Sequence, residues 1–365
     1  MTANLTDLYD IAIVGAGMAG VSLAAALAGR ARVVVIEAED RPGYHATGRS
    51  AAFWDETYGG AGVAPLTSAS GPYLREHGFL TPRGAAIIGR AEQYGAIAAF
   101  VEEFAALGID IALLGRAALE ARIPGLLPEW TCGAWEPHCS DIDVAGLHQH
   151  YLAIARRGGV ELRLRSRMAD AKCDAAGWRI ALADGGVLRA DVLVNAAGAW
   201  ADDVARAAGV APLGIAPYRR TVAQLRVAPA APTDLPLVID FGEQFYFKPE
   251  SGRLWLSPHD ETASPPCDAA PEELDVATAI DRFGEVVNWQ VERVEHRWAG
   301  LRSFASDRLP VYGFASDNPR FFWCAGQGGF GIQTAPAAAD LAARLLLGDA
   351  PGAIDPAPYA AGRFA

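Results

Sequence analysis

Ile11-Ala12-Ile13-Val14-Gly15-Ala16-Gly17-Met18-Ala19-Gly20 is the stretch from which the rest of this chain can be read. A short apolar run, residues 11–14, leads straight into Gly-x-Gly-x-x-Gly, as a parallel strand buried on both faces would. The Ala- and Leu-rich residues 18–28 predict a helix. Residues 33–36 predict a second buried strand, with Glu37 at its end. The glycine pattern alone is a common turn. Between a strand and a helix, with an acid closing the next strand, it reads as a dinucleotide-binding βαβ unit. Gly15 allows the tight turn, Gly17 lets the backbone approach a pyrophosphate, and Gly20 permits close packing of helix on strand. Ala16, Met18 and Ala19 complete the loop. The helix N-terminus offers free N–H groups and a partial positive charge to phosphate. Glu37, followed by Ala38, accepts hydrogen bonds from ribose hydroxyls. The competing reading is a plain βαβ turn that binds nothing.

NAD and FAD both use this unit, and the downstream sequence separates them. Residues 41–52 are rich in small and hydroxyl side chains and include His45, Thr47, Gly48, Arg49, Ser50, Ala51 and Ala52. Such a segment suits backbone wrapped around an extended flavin cofactor, where a nicotinamide enzyme would run on into another βα unit. Near the C-terminus, Gly326-Gln-Gly-Gly-Phe-Gly331 precedes a helix expected from about residue 332 to 347. Its Gly328, Gly329, Phe330, Gly331 and Ile332 offer a second set of helix N-terminal donors, suited to negative charge on a reduced ring. The expected cofactor is FAD, bound non-covalently. For His45, a covalent flavin link stays open beside an ordinary loop role.

The composition narrows the partners. A formal net charge of −12 argues against nucleic acid or an anionic membrane as the main partner. Cys132, Cys139, Cys173, Cys267 and Cys324 form no CxxC pair, so neither a zinc site nor a disulfide framework is expected. No apolar stretch is long enough to span a membrane. The N-terminus, with Asp7 and Asp10, has no basic segment followed by an apolar one, so no secretory signal is expected. The expected location is cytoplasmic, with peripheral membrane association left open.

Buried-strand patterns return at residues 191–198 and 321–326, far from the first unit yet in the same alphabet. Residues 84–136 mix helical patterns with short strands. Residues 216–257 alternate as strands do, with a proline-rich connection at 229–236, and predict an antiparallel sheet with one face covered. The expected fold class is α/β: a Rossmann-like FAD-binding domain with a second α+β domain on a mixed or antiparallel sheet. The expected boundaries are 1–83, 140–215 and 298–365 for the first domain, and 84–139 and 216–297 for the second.

Five further motifs are specific: Gly43-Tyr-His-Ala-Thr-Gly-Arg-Ser-Ala-Ala52, Leu193-Val-Asn-Ala-Ala-Gly-Ala-Trp200, Phe245-Tyr-Phe-Lys-Pro249, Trp298-Ala-Gly-Leu-Arg-Ser-Phe304 and Gln327-Gly-Gly-Phe-Gly-Ile-Gln-Thr334. Nearly end to end, the chain resembles the D-amino acid oxidase (DAO) superfamily of FAD-dependent oxidoreductases, and within it the bacterial D-arginine dehydrogenases. The resemblance implies that Ala197, Gly198, Trp200 and Gly300 border the cofactor and that Ser50 and Ala51 lie near flavin N5. It also implies oxidation of an amino acid Cα–N bond, giving an imine and then a 2-oxo acid. Arg220 and Arg302 match carboxylate-binding arginines, though on a strand only one of Arg219 and Arg220 can face a pocket. Tyr246 matches a substrate-contacting tyrosine, Tyr58 a tyrosine on a lid with Gly59 and Gly60 as hinges, and Gly329 a carbonyl that holds the substrate amine.

Two substitutions depart from that pattern. Ala85 stands where the resemblance expects an acid for a guanidinium side chain, and Phe53 where it expects an active-site histidine. Both make the pocket less polar, and a buried cationic side chain without its counter-charge is costly. Asp55 and Glu56 are the nearby acids that could compensate. The expectation is an FAD-dependent amino acid dehydrogenase or oxidase for a neutral or apolar D-amino acid. The electron acceptor, a quinone, a carrier or O2, is not readable. Two alternatives stay open: oxidation of a secondary or N-methyl amine, and a flavoprotein with a biosynthetic role and no amino acid oxidation.

Overall fold

The computed structural model describes residues 8–350 and 352–364; Asp7, used in the signal reading, lies outside that range. The opening stretch forms the strand Leu8–Val14, the helix Met18–Leu27 and the strand Val33–Ile36. Leu8–Val14 pairs in parallel with Val33–Ile36 on one side and with Val187–Asn195 on the other. Ile11 and Ile13 enter one core, Ala12 and Val14 the other. That alternation, with both faces covered, is why the run is apolar at every position. The first core is closed by the helices Met18–Leu27, Val144–Arg157 and Ala335–Leu347 through Leu23, Leu147 and Leu341. The second is filled by Trp178, Leu193, Phe321 and Trp323.

The distant buried runs do join this sheet. Phe321–Ala325 pairs in parallel with Val187–Asn195, and Glu161–Arg163 with Val33–Ile36. Met168–Asp174, Gly177–Leu182 and Val311–Phe314 add antiparallel strands and bring the sheet to eight.

A second sheet of ten strands is built around the long antiparallel pair Ala216–Ala228 and Gln290–Phe304. Arg253–Ser257, Tyr246–Glu250 and Leu237–Asp240 follow in order. It is mixed rather than purely antiparallel, because Ala85–Arg90 arrives from a distant part of the chain and pairs in parallel with Leu237–Asp240. The helix Glu273–Gly284 covers one face with Val276, Ala279 and Phe283 against Phe247 and Leu256. On the other face Ile87 and Ala134 pack under the helix Tyr94–Ala106, and Tyr246 and Val222 continue the wall. A third, three-stranded sheet of Phe53–Trp54, Ser140–Ile142 and Leu80–Pro82 carries residue 53 toward that wall. The architecture is the α/β class read from the sequence.

The last helix starts at Ala335, three residues later than its apolar pattern suggests. Gln327–Gly328 pairs with the end of Gln290–Phe304, and residues 329–334 wind as turns, with Phe330 N–H donating to Gln327 O at 3.1 Å and Thr334 N–H to Phe330 O at 3.2 Å. Its first-turn donors are consumed inside the protein: Ala337 N–H goes to Ser70 Oγ at 3.1 Å.

The opening turn leaves no room for side chains. A Cβ added at Gly15, whose φ is +104°, would lie 2.5 Å from Ala196 O, and one at Gly20 would lie 1.9 Å from Gly15 O. Gly20→Ala is therefore expected to push helix from strand and to cost about 1–3 kcal/mol. Thermal unfolding reads this as a lowered Tm; a variant that melts with the wild type contradicts the packing argument.

Candidate active site

Two cavities of about 590 Å³ each meet at Ser50, Arg302, Gly329 and Ile332, which line both. The first is bordered by the opening turn. Gly15, Gly17, Met18, Ala19, Glu37, Ala38, His45, Thr47, Arg49, Ala197, Gly198, Trp200, Gly300, Gly328 and Gly331 line it with the four shared residues. Glu37 is fixed by two backbone donors: Ala16 N–H at 2.8 Å and Glu39 N–H at 3.0 Å. Thr47 Oγ1 accepts from Met18 N–H at 2.9 Å and ties residues 43–52 to the start of the first helix. Arg49 anchors that segment to Ala269 O at 2.7 Å and to the Asp268 carboxylate. His45 Nε2 lies 3.0 Å from Glu39 Oε1, while its Nδ1 is buried without a partner. Glycines and alanines along the wall, a carboxylate held at one position and an orphaned imidazole nitrogen suit an extended dinucleotide.

Several expected cofactor residues act from elsewhere. Ala16, Gly20 and Gly48 border neither cavity. Ala16 works through its backbone, donating to Glu37 and accepting from His148 at 3.0 Å. Gly48 is packed against Gly43, where a Cβ would lie 2.7 Å from the Gly43 carbonyl oxygen. Ala51, Ala52 and Phe330 line the second cavity rather than the first. The second set of helix N-terminal donors does not face the cavity; the turn over residues 328–332 does, because the helix begins beyond it. Glu39, Ser166, Arg167 and Met168 line the first cavity and were missed. Only Glu39 lay close enough to the motif to have been found.

The second cavity holds Phe53, Tyr58, Arg220, Tyr246 and Arg302 together. Its other walls include Ile87, Phe100, Ile239, Phe241, Phe304 and Phe330. Tyr246 meets Phe53 edge-on at 5.9 Å, and Phe53 meets Tyr58 at 5.5 Å. Burial raises the Tyr246 phenol above its ordinary value, opposed by the charges of Arg220 and Arg302. Arg220 lines the cavity. Arg219 takes the opposite face of the strand and pairs with Glu272 and Asp275.

The two cavity arginines are not equivalent. Arg220 donates to Asp260 O at 2.8 Å and pairs with Glu261 at 3.0 Å. Arg302 is 7% exposed, and its one hydrogen bond among the described residues is a long 3.4 Å contact to Leu301 O. Among the described residues no carboxylate forms an ion pair with Arg302. Burial, with the adjacent Arg220 charge, lowers its pKa, yet a guanidinium stays protonated.

Ala85 does not line the cavity. It lies behind the wall, packed with Ala51, Val222 and Tyr246; Ile87, two residues further along the same strand face, is the lining side chain. The acids that were weighed as substitutes are also committed. Asp55 Oδ1 accepts from Thr57 N–H, Thr57 Oγ1–H and Tyr58 N–H. Glu56 accepts from Ser68 Oγ at 2.5 Å and lies outside the lining. Those bonds also pin Tyr58, so its segment is anchored rather than a loose lid. Tyr58 Oη abuts Gly329, where an added Cβ would lie 2.0 Å from it.

His259 was not foreseen. It lines the cavity edge-on to Tyr246 at 5.7 Å, and burial, with the Arg220 charge, lowers its pKa to about 3, leaving a neutral ring. Nothing near residue 259 in the sequence marks it. Among the described residues no cluster of metal-ligating side chains occurs, and no helix is long and apolar enough to cross a membrane.

Comparison with known proteins bears on the family and the fold. The model of the DAO family, described as FAD dependent oxidoreductase, matches residues 10–345. The glycine oxidase of Pseudomonas putida is 32% identical over 179 residues, covering 48% of this chain and 46% of that protein. The bifunctional protein ThiO/ThiG of Nostoc sp. is 27% identical over 239 residues, covering 64% of this chain and 35% of that protein. These matches thus span half or less of the curated relatives. Among solved structures, glycine oxidase from Geobacillus kaustophilus superposes with a TM-score of 0.85 at 23% identity, covering 97% of this chain and 98% of that one. L-proline dehydrogenase from P. horikoshii gives 0.83 at 21%, covering 93% of each. At these identities the likeness shows the fold.

Glu37→Ala removes the acceptor for two backbone N–H groups as well as the expected ribose contact. Hydrogen bonds to a charged group contribute about 1.5–3 kcal/mol, so FAD affinity is expected to fall roughly 10- to 100-fold. Titration of the apoprotein with FAD measures it; an unchanged Kd contradicts the role given to Glu37.

Proposed function

The chain belongs to the DAO family of FAD dependent oxidoreductases, and from that premise we propose that it oxidises the Cα–N bond of a neutral or apolar D-amino acid. One observation carries the reading: Arg302 is a buried cation at the junction of the two cavities with no carboxylate paired to it among the described residues. A substrate carboxylate completes it with charge-assisted, bidentate hydrogen bonds. Arg220 is the weaker carboxylate partner, since Glu261 already neutralises it.

FAD, held non-covalently in the first cavity, supplies the hydride acceptor. The protein supplies position. With the carboxylate on Arg302, the Gly329 carbonyl receives the amine and Tyr58 and Tyr246 flank the Cα, which orients the substrate toward the shared boundary of the cavities. The amine must be neutral before the Cα–H bond breaks. No acid–base side chain is assigned to that proton; water takes it. The electron pair leaves with the Cα hydrogen as hydride, giving an imine. Water then converts the imine to a 2-oxo acid and ammonia.

The side-chain preference rests on the walls. Phe53, Ile87, Phe100, Ile239 and Phe241 offer apolar surface, and a cavity of about 590 Å³ has room well beyond glycine. A D-arginine preference, which the motif resemblance alone would suggest, is disfavoured because Phe53 stands where that pattern expects a histidine and Ile87, not an acid, lines the wall in front of Ala85. The D configuration rests on the resemblance itself.

Anaerobic bleaching of the bound flavin tests this across D- and L-amino acids, glycine and N-methyl compounds. D-Phe, D-Met and D-Leu are expected to reduce it fastest. Faster reduction by D-Arg or D-Lys contradicts the apolar preference, faster reduction by an N-methyl amino acid moves the substrate to secondary amines, and no bleaching by any of them sinks the reading. Arg302→Met is expected to lower kcat/KM by roughly 10²-fold or more, the scale of about 2–5 kcal/mol for losing a buried charge partner.

A further inference from the structure

We infer that Asp55 and Glu136 share a single proton, and that this carboxyl pair makes Glu136 a positioning residue for the turn that carries Tyr58. The inference rests on the reading of Tyr58 as a wall of the substrate site. Both carboxyl groups are fully buried, each residue being 0% exposed. One oxygen of each is committed. Asp55 Oδ1 accepts from Thr57 N–H at 2.9 Å, Thr57 Oγ1–H at 2.7 Å and Tyr58 N–H at 2.9 Å. Glu136 Oε1 accepts from Glu56 N–H at 2.7 Å. The other two, Asp55 Oδ2 and Glu136 Oε2, are buried and find no N–H or O–H donor among the described residues. Glu136 Oε1 and Asp55 Oδ1 take the N–H groups of adjacent residues, Glu56 and Thr57, which brings the two buried carboxyl groups together at one backbone turn.

Two buried carboxylates in contact cannot both be ionised. One proton between them turns two orphaned acceptors into a single O–H···O bond. Asp55 Oδ1 takes three donors. Glu136, with one backbone donor, keeps the proton. Its pKa is raised well above the ordinary carboxyl value by burial and then by the Asp55 charge. The neighbouring ionisable groups do not relieve the pair. Glu56 adds a like charge. Cys139 is a buried thiol whose pKa is raised by burial and by both acids. Lys248, whose charge reaches Cys139, is committed to Asp141 at 2.5 Å.

The pair matters because of what it holds. Asp55 Oδ1 and Glu136 Oε1 between them take the N–H groups of Glu56, Thr57 and Tyr58. Gln333 closes the remaining side, accepting from Asp55 N–H at 3.3 Å and donating to Asp55 O at 3.1 Å and Tyr58 O at 3.2 Å. Asp55 and Gln333 both line the second cavity. Loss of the proton would set two buried anions against each other beneath the turn that places Tyr58 Oη on Gly329.

The sign of the pH effect follows. The folded pKa of Glu136 lies above its unfolded value, so the stabilisation is complete below the unfolded pKa and declines as pH rises toward the folded one. Glu136→Gln keeps both bonds, accepting through Oε1 and donating to Asp55 through Nε2–H, without taking up a proton. Asp55→Asn does the same from the other side, leaving Glu136 ionised. The double amide sets two NH2 groups face to face.

The test uses the FAD-loaded enzyme. Unfolding by urea is followed from pH 5.5 to 8.5 for the wild type, E136Q, D55N and D55N/E136Q, with KM for the reducing amino acid measured alongside. The expected result is that E136Q gains on the wild type as pH rises, by up to tenfold in the folding constant per pH unit. The double amide should be at least tenfold less stable than the two single effects combined, and KM should rise with pH in the wild type but not in E136Q. A pH-independent difference, or additive single effects, overturns the shared proton. Tyr58→Phe separates the two claims. If its kinetics match the wild type while the stability cycle is non-additive, the reading of Tyr58 fails and the pair stands. Impaired Tyr58→Phe with an additive cycle gives the reverse.

Discussion

A guanidinium buried between two cavities with no acid opposite it is the constraint on which the site depends. Removing an ion from water costs several kcal/mol even after relaxation, and leaving it unpaired forfeits the usual compensation. Arg302 nonetheless sits 7% exposed at the inner end of the strand Gln290–Phe304. That strand is locked along its length to Ala216–Ala228, which delivers Arg220 beside it. Glu261 neutralises Arg220 and is itself held by Arg308 at 2.7 Å. Among the described residues Arg302 is thus left without a paired carboxylate, at the boundary with the cofactor wall. An overall net charge of −12 does not predict this, since a single placed cation in a low-dielectric pocket outweighs a diffuse field.

The division of labour between the sheets follows from their packing. The mostly parallel sheet is covered on both faces, so its edges and turns are where a ligand can lie, and the opening turn sits at the carboxyl end of Leu8–Val14 as such folds dictate. The mixed sheet is covered on one face by the helix Glu273–Gly284 and keeps its other face partly free. Ser50, Arg302, and Gly329 with Ile332 come from three separated segments, and each residue borders both cavities. Transfer between a bound substrate and a bound cofactor needs such a boundary.

Legibility in the sequence tracked locality. The βαβ unit was readable because its strand, turn, helix and acid lie within residues 11–37, and each has its own physical signature. The buried runs at 191–198 and 321–326 were readable as members of the same sheet by their composition. The parallel entry of Ala85–Arg90 was not, because nothing local specifies a partner 150 residues away. Arg219 and Arg220 could not be told apart until the strand's facing was known, and Ala85 was placed in the lining when Ile87 holds that position. His259 and the Asp55–Glu136 contact were invisible for the same reason: each joins segments that only the tertiary fold brings together. Tyr58 looked mobile from Gly59 and Gly60, while the groups that pin its turn are the acceptors Asp55 and Glu136 and the donor Gln333, the last two from distant segments.

The central claim is that Arg302 is completed by the carboxylate of a ligand. Spectral titration of the oxidised, FAD-loaded enzyme with an aromatic carboxylate and with its uncharged primary amide tests it most directly. The account expects the carboxylate to perturb the flavin spectrum saturably and the amide to bind at least tenfold more weakly. Equal affinity for the two, or spectral changes from neither, contradicts it.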